Sequence, residues 1–439
     1  MKFKLNDKII IEPLDSSVAV SVQSVHKHFS MKPPPSKEEL LMQAISLYKQ
    51  VFNNSVPTHA GCGPGRVNLI GEHTDYNNGF VFPMALPNVV VVVGAANGTN
   101  EINVYSDGIK DSRKHSFAIP SVKPLSRGEP NWVNYVKGIV NFYDAAVVPG
   151  FDAVIVTSVP VGAGVSSSAA IEVATFTFLE ALTGKTVPKK EKALICQKAE
   201  HVFAEMPCGI MDQYISIFGE KGNALLLDCK SFQHEQIPFD DLNVCVLIIN
   251  SNVKHELTGS EYPLRAAQCR EASAIMNVKS LRDASTHDLE KHRDAMSDEM
   301  FRRARHVVTE ISRTCEAAQA LRFKDYSSFG VLMLQSHNSL RDDYEVSIPE
   351  LDELVDIVMK CKGVFGSRLT GAGFGGATVT LLKTEAVNEV IETVTKKWKG
   401  NPSFYLAVAS DGARNETALL QSILKSDTNS NKRSTTTQT

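Results

Sequence analysis

A chain of 439 residues exceeds what one hydrophobic core of usual size holds, so two or three domains are expected. Its composition, 43% hydrophobic and 22% charged, is ordinary for a globular protein, and a formal net charge of −3 excludes a global nucleic-acid or anionic-membrane footprint. Eight cysteines form no C-x-x-C pair, which argues against a zinc or dithiol redox centre, and neither a signal-peptide core nor a membrane-length apolar run occurs.

Residues 1–35 contain PPPS at 33–36 and read as an N-terminal extension. Ser36 then precedes KEELLMQAISLYKQVF, and Glu39 three positions on predicts a helix opened by a capping box. Short strands are expected at 67–70, 80–82, 89–93, 102–105 and 151–157. The last of these runs through a Gly/Ser turn into a helix over 167–182. Further on, strands are expected at 224–227, 244–249 and 378–382, and helices at 262–276, 297–321 and 386–398. The RRARH run inside the 297–321 helix reads as a solvated face. The tail, SDTNSNKRSTTTQT, has no apolar residue and is expected to be disordered.

Three stretches carry chemistry. PVGAGVSSSAA, at 160–170, follows a strand and opens a helix. Gly162 and Gly164 let the backbone fold close to a ligand, and Ser166, Ser167 and Ser168 supply a cap and hydroxyls. Free N–H groups and the positive end of the helix dipole make such a turn an anion site. Two lookalikes are set aside. ALTGKT lacks the first glycine of a nucleotide P-loop, because Leu179 stands there. GAGFGG, at 371–376, is followed by a strand pattern instead of a helix, so its glycines suit close approach to another loop or to phosphate.

The second stretch, GRVNLIGEHTDYNNGFVFPMAL, places Glu72, His73 and Asp75 within four positions, with Arg66 six residues before the glutamate. Carboxylates so placed accept hydrogen bonds from a polyhydroxylated substrate. A surface turn with a hairpin signal at Asn78-Gly79 is a second reading, and a metal site with one histidine a third. The third stretch, AEHVFAEMPCGIMDQ, offers Asp212 in a turn and Glu200 on a helix; taken singly they read as a helix-start acid and a surface glutamate. Together the three supply what phosphoryl transfer needs: an anion cradle, a carboxylate for a divalent cation, a base and nearby positive charge.

In these stretches the chain resembles the GHMP small-molecule kinase superfamily and, within it, the galactokinase family. LTGAGFGG, LLLDCKS, SEYPLRAAQC, HNSLRDDYEVSIPELDEL and FYLAVASDGA extend the resemblance over roughly residues 37–415. The resemblance implies a two-lobed α+β fold, with an active cleft between an N-terminal lobe (36–220) and a C-terminal lobe (221–423), and a disordered tail at 424–439. It implies ATP and Mg²⁺ as cosubstrates and transfer of the γ-phosphoryl group to the anomeric hydroxyl of D-galactose. By the same resemblance Glu72, His73, Asp75, Gly209 and Tyr262 contact the sugar. Asp212 faces the C1 hydroxyl with Arg66 beside it, and Ser168 and Glu200 hold Mg²⁺. Gly162, Gly164, Ser166, Ser167 and Ser168 wrap the phosphates, and Trp132 and Tyr135 mark the adenine side.

Asp212 acts either as general base, the favoured role, or as an orienting group while Arg66 and Mg²⁺ carry the charge. A cytoplasmic monomer acting on small molecules, without nucleic-acid or membrane partners, is the accompanying expectation. Val165, Ala372 and Phe82 depart from common family residues; alanine at 372 is strained if that position needs positive φ. Rival readings within the family are an N-acetylgalactosamine kinase, an arabinose kinase and a galactose- and ATP-sensing transcriptional regulator. The bulk of Cys208 and Ile210 argues against the first, and the uninterrupted SSSAAIE against the last.

Overall fold

The computed structural model describes residues 34–108, 113–144, 146–254 and 258–435. The N-terminal extension up to residue 33 lies outside them. The first described helix, Lys37–Val51, opens as expected: Ser36 Oγ accepts from the Glu39 N–H, and the Glu39 carboxylate accepts from the Ser36 N–H. Leu40, Leu41, Ala44, Ile45 and Tyr48 recur at helical spacing and face the interior.

In chain order the strands are β1 (His59–Asn68), β2 (Phe80–Val81), β3 (Pro83–Ala96), β4 (Glu101–Ser106), β5 (His115–Ala118) and β6 (Phe151–Thr157). There follow β7 (Asn223–Asp228), β8 (His234–Pro238), β9 (Val244–Lys254), β10 (Val364–Thr370), β11 (Gly375–Lys383), β12 (Ser403–Ala407) and β13 (Arg414–Asn415). They form a six-stranded sheet ordered β13-β1-β3-β6-β4-β5, a four-stranded sheet β10-β11-β9-β12 and a three-stranded sheet β2-β7-β8. The large sheet with its helices is the first lobe. The four-stranded sheet, with the helices Asp298–Arg322, Tyr326–Asp342 and Pro349–Val358, is the core of the second.

β1 begins well before the expected residue 67, in HAGCGPG, a poor strand sequence by propensity. Packing explains it. The helix Ser167–Thr183 lies directly on the strand backbone: a Cβ at Gly61 would stand 2.4 Å from the Phe178 nitrogen, and one at Gly63 2.6 Å from the Ala170 oxygen. Alternate glycines give the strand one flat face, and the helix is buried on nearly every side from Ala169 to Leu179. The Gly184 of ALTGKT merely ends this helix in a left-handed conformation. GAGFGG does lead into a strand, β11.

Four expectations need correction. The boundary at 220/221 is not a clean division, because β2 from the first half pairs with β7 from the second. Nor does the second lobe run to 423. β13 pairs with β1 at the edge of the first sheet, and Leu420, fully buried, packs with Leu41 and Tyr48. The tail is not wholly disordered: a helix spans Thr417–Thr435, since Leu419, Leu420, Ile423 and Leu424 give its start an apolar face and no Gly or Pro interrupts its later turns. RRARH, finally, is only partly a solvated face. Arg303 is 1% exposed and paired to Glu299 and Glu345, and His306 is buried against Ser339 and the Glu72 carbonyl. No helix among the described residues is long and apolar enough to cross a membrane.

Candidate active site

The site begins at the end of β1, where the register with β3 shifts between Pro64 and Arg66. Such a bulge re-aims a side chain. Arg66 Nε and Nη2 donate to the two carboxylate oxygens of Asp212 at 2.6 and 2.9 Å, and Nη1 donates to the Gly164 carbonyl at 2.6 Å. Burial disfavours the guanidinium charge, but Asp212 beside it more than restores it and raises the Arg66 pKa. Asp212 sits in the first turn of the helix Met211–Phe218 and keeps 23% of its side chain exposed, against 6% for Arg66. The fork is thus inside and the carboxylate at the mouth.

The glycine–serine turn is tied to the same clamp. The Arg66 N–H donates to the Val165 carbonyl at 3.0 Å. Ser166 occupies the N-cap position of Ser167–Thr183 with φ 58°, yet its hydroxyl does not cap the helix: it donates to Asp212 Oδ2. Ser166 therefore leaves the first N–H groups of this helix uncapped, the arrangement an anion site needs. GAGFGG packs behind the turn, a Cβ at Gly371 standing 3.1 Å from the Gly164 oxygen. Ala372 is not among the residues with positive φ and carries no strain, whereas Phe374 (φ 59°) does.

Opposite lies the 69–77 loop. Asp75, its Oδ1 bonded by the Tyr76 N–H, has its pKa pushed up to about 6 by burial and the nearby Asp212 charge. Its carboxylate rests on Gly209: a Cβ there would stand 1.8 Å from Asp75 Oδ2. Tyr262 completes this side, its ring 5.6 Å from His73 and 5.3 Å from Tyr76, and its phenol feels both Asp75 and Asp212. Given the sugar contact that the resemblance implies for Asp75, Gly209→Ala is expected to displace it and raise the KM for the sugar about tenfold with little change in the KM for ATP; equal changes in both would show that Asp75 is not a sugar-side group.

Glu72 and His73 lie beside the site and are bonded to the protein interior. The Glu72 carboxylate, 2% exposed, accepts from Asn68 Nδ2 (2.6 Å), Thr370 Oγ1 (3.1 Å) and the Gly371 N–H (2.9 Å), and lies 2.6 Å from Arg368 Nη2. Three donors and the Arg368 charge thus hold the Glu72 carboxylate from within the protein. His73 is also spent internally. Its Nε2 donates to the Ala372 carbonyl at 3.1 Å, so Nδ1 accepts from the Tyr76 hydroxyl at 2.8 Å. Burial lowers its pKa to about 3 and keeps the ring neutral. Both side chains latch the 69–77 loop onto 370–372.

Behind Asp212 lies an acidic cluster. Glu200 opens a π-helical turn, Glu200–Ala204, and is 4% exposed. Gln213 Nε2 donates to Glu200 at 2.5 Å and to Glu172 at 3.1 Å, and the Cys208 thiol lies 3.5 Å from Glu200. Burial and the Asp212 charge push Glu200 up to about 7, against hydrogen bonds from Ser168, Cys208 and Gln213. Burial and Glu200 push Glu172 well up, and one of its oxygens has no partner. Ser168 lies near enough to Glu200 to lower its pKa, and a hydroxyl with a carboxylate in a negative field is the donor type that suits a hard cation. Among the described residues no three His, Cys, Asp or Glu side chains are arranged to hold a metal by themselves.

On the far side, Trp132 is buried, its indole edge-on to His115 at 5.6 Å, and Tyr135 has its phenol pushed up by burial and the nearby Glu200. Trp132 thus backs the nearby cleft of about 400 Å³, lined by Arg113, Lys114, His115, Glu129 and Pro130, without lining it. Sequence reasoning missed Glu172, Gln213 and Arg368. Glu172 had a signal, a charge inside the apolar helical run AAIEVATFTF. Arg368 had none, because its partners are distant in the chain.

Known proteins match this chain along most of its length. Residues 46–96 match the galactokinase galactose-binding signature, 134–220 the GHMP kinase N-terminal domain and 316–400 the GHMP kinase C-terminal domain. The chain is 51% identical to a galactokinase of Bos taurus and 50% to one of Homo sapiens, over 87% of this chain and 97% of each relative. A solved Lactococcus lactis galactokinase, complexed with galactose, superposes with a TM-score of 0.80 at 33% identity, covering 84% of this chain and 98% of its own. A mevalonate kinase at 19% identity and TM-score 0.58 shares the fold. With sequence and fold in agreement over most of its length, the chain belongs to the galactokinase family of GHMP kinases.

Proposed function

We propose that the enzyme transfers the γ-phosphoryl group of ATP to the C1 hydroxyl of D-galactose, giving α-D-galactose 1-phosphate, ADP and a proton. One observation carries this reading. A carboxylate, Asp212, is gripped by an arginine at the point where the phosphate-type turn (Gly164, Ser166) meets the hydroxyl-binding side (Asp75, Gly209, Tyr262).

In this reading Asp75 and Tyr262 hold the sugar by its hydroxyls, with Glu72 and His73 as the frame beneath them. Asp212 accepts the C1 proton as the oxygen attacks phosphorus, and Arg66 holds that carboxylate in line while placing positive charge beside the transferred group. The turn from Gly162 to Ser168 takes the phosphates on its N–H groups, and the Trp132–Tyr135 side takes the adenine. Ser168 and Glu200 would hold Mg²⁺, which when bound would neutralise charge on the phosphates. All eight cysteines are unpaired thiols, which supports a reducing, cytoplasmic setting, and a monomer is the accompanying assignment, to be checked by sedimentation.

The test is ADP release with ATP and Mg²⁺ on galactose, N-acetylgalactosamine and glucose in parallel. Strong turnover on galactose alone is the expected result. Preference for the acetylated sugar would refute the substrate, and galactose binding without turnover would make the protein a sensor.

A further inference from the structure

Arg368, on β10, is fully buried. Its Nη2 lies 2.6 Å from Glu72, Nη1 donates to the carbonyls of Leu69 (3.3 Å) and Asn68 (3.5 Å), and Nε donates to Ser336 Oγ at 3.1 Å. Ser336 passes the grip on, donating at 2.5 Å to Glu310 Oε1, which also accepts the Gly71 N–H at 3.1 Å. Arg313 holds the other Glu310 oxygen at 2.7 Å. The backbone of 68–71 and the Glu72 carboxylate are thus held by β10 and two helices of the second lobe.

Taking a guanidinium out of water is unfavourable, and apolar side chains would join packed elements as well. What the planar fork adds is direction: it fixes several acceptors at set angles at once. Three residues beyond Glu72, Asp75 reaches across to Gly209 of the first lobe. The Arg66–Asp212–Gly164 clamp, by contrast, lies within the first lobe.

We propose that Arg368 is the positioning residue of the 68–75 loop, setting Asp75 for the sugar from the second lobe, independently of the nucleotide side. The inference rests on the reading of Asp75 as a sugar contact. It separates two affinities: loss of Arg368 disturbs the sugar and spares ATP.

The experiment uses the full chain. Arg368→Met is expected to raise the KM for galactose about tenfold or more and to leave the KM for ATP within about twofold. In thermal melts the variant loses the upward shift given by galactose and keeps that given by ATP with Mg²⁺. Arg368→Lys, which keeps the charge but not the fork, restores little. Ser336→Ala loosens the same grip more gently, shifts the galactose KM in the same direction, and decides the matter if neither Arg368 variant folds.

Lys192→Met is the control. It removes another buried cation, bonded to Thr177 and Glu180 at 2.7 Å, away from this loop. Unchanged KM values in a folded Arg368 variant, or sugar and ATP values rising together as in the control, overturn the proposal. Turnover of galactose by the unaltered enzyme is measured first. Its absence refutes the substrate reading alone, and the grip is then read by hydrogen exchange of the 69–75 amides. Faster exchange in Arg368→Met supports the grip, and unchanged exchange overturns it.

Discussion

Asp212→Asn is expected to lower kcat about 10³-fold while galactose still binds measurably in calorimetry. The amide does not accept the C1 proton. It also meets the wrong partners, since both Asp212 oxygens accept, one from Arg66 Nε and the other from Arg66 Nη2 and Ser166. Whichever way the amide turns, its NH₂ faces a donor. Sugar binding survives because Asp75 and Tyr262 do not depend on the Asp212 charge for their place. Undiminished turnover would remove Asp212 from the chemistry. A fall in turnover matched by complete loss of galactose binding would make it a binding group.

The second large effect is expected at Arg66. Arg66→Leu should lower kcat roughly 10²- to 10³-fold, with both KM values affected, because one side chain serves Asp212 and the Gly164 carbonyl together. The loss should not add to that of Asp212→Asn. Groups that act as a unit fail together, so the double variant is expected within a few-fold of the worse single one. Full multiplication of the two losses would show that arginine and aspartate act separately. Arg66→Lys should recover little, since an ammonium offers no bidentate fork and does not reach three oxygens in two directions.

Periodicity marked most strands and helices, and the three loops stood out by residue type. What escaped was set by tertiary contact. The start of β1 reads as a loop in HAGCGPG and is a strand because a helix lies on its glycines. Glu72 and His73 carry the residue types of ligand contacts, yet their donors and acceptors are consumed by Thr370, Gly371 and Ala372, some 300 positions away in the chain. Ser166 has the residue type of a cap and instead serves Asp212. Arg66 and Asp212 do meet, through two hydrogen bonds that join positions 146 apart in the chain.

The return of β13 and the last helix to the first lobe bears on how the protein is made. Lys37 and Glu416, joined at 3.0 Å, are 379 positions apart. At about 5–20 residues per second, a ribosome leaves roughly 20–75 s between them. Through that interval the apolar face of the Lys37–Val51 helix has no Leu420 to cover it, and β1 is a bare sheet edge. The first lobe is therefore completed only once residues 414–424 have been made. Its newborn form is the stage at which chaperones have most to protect.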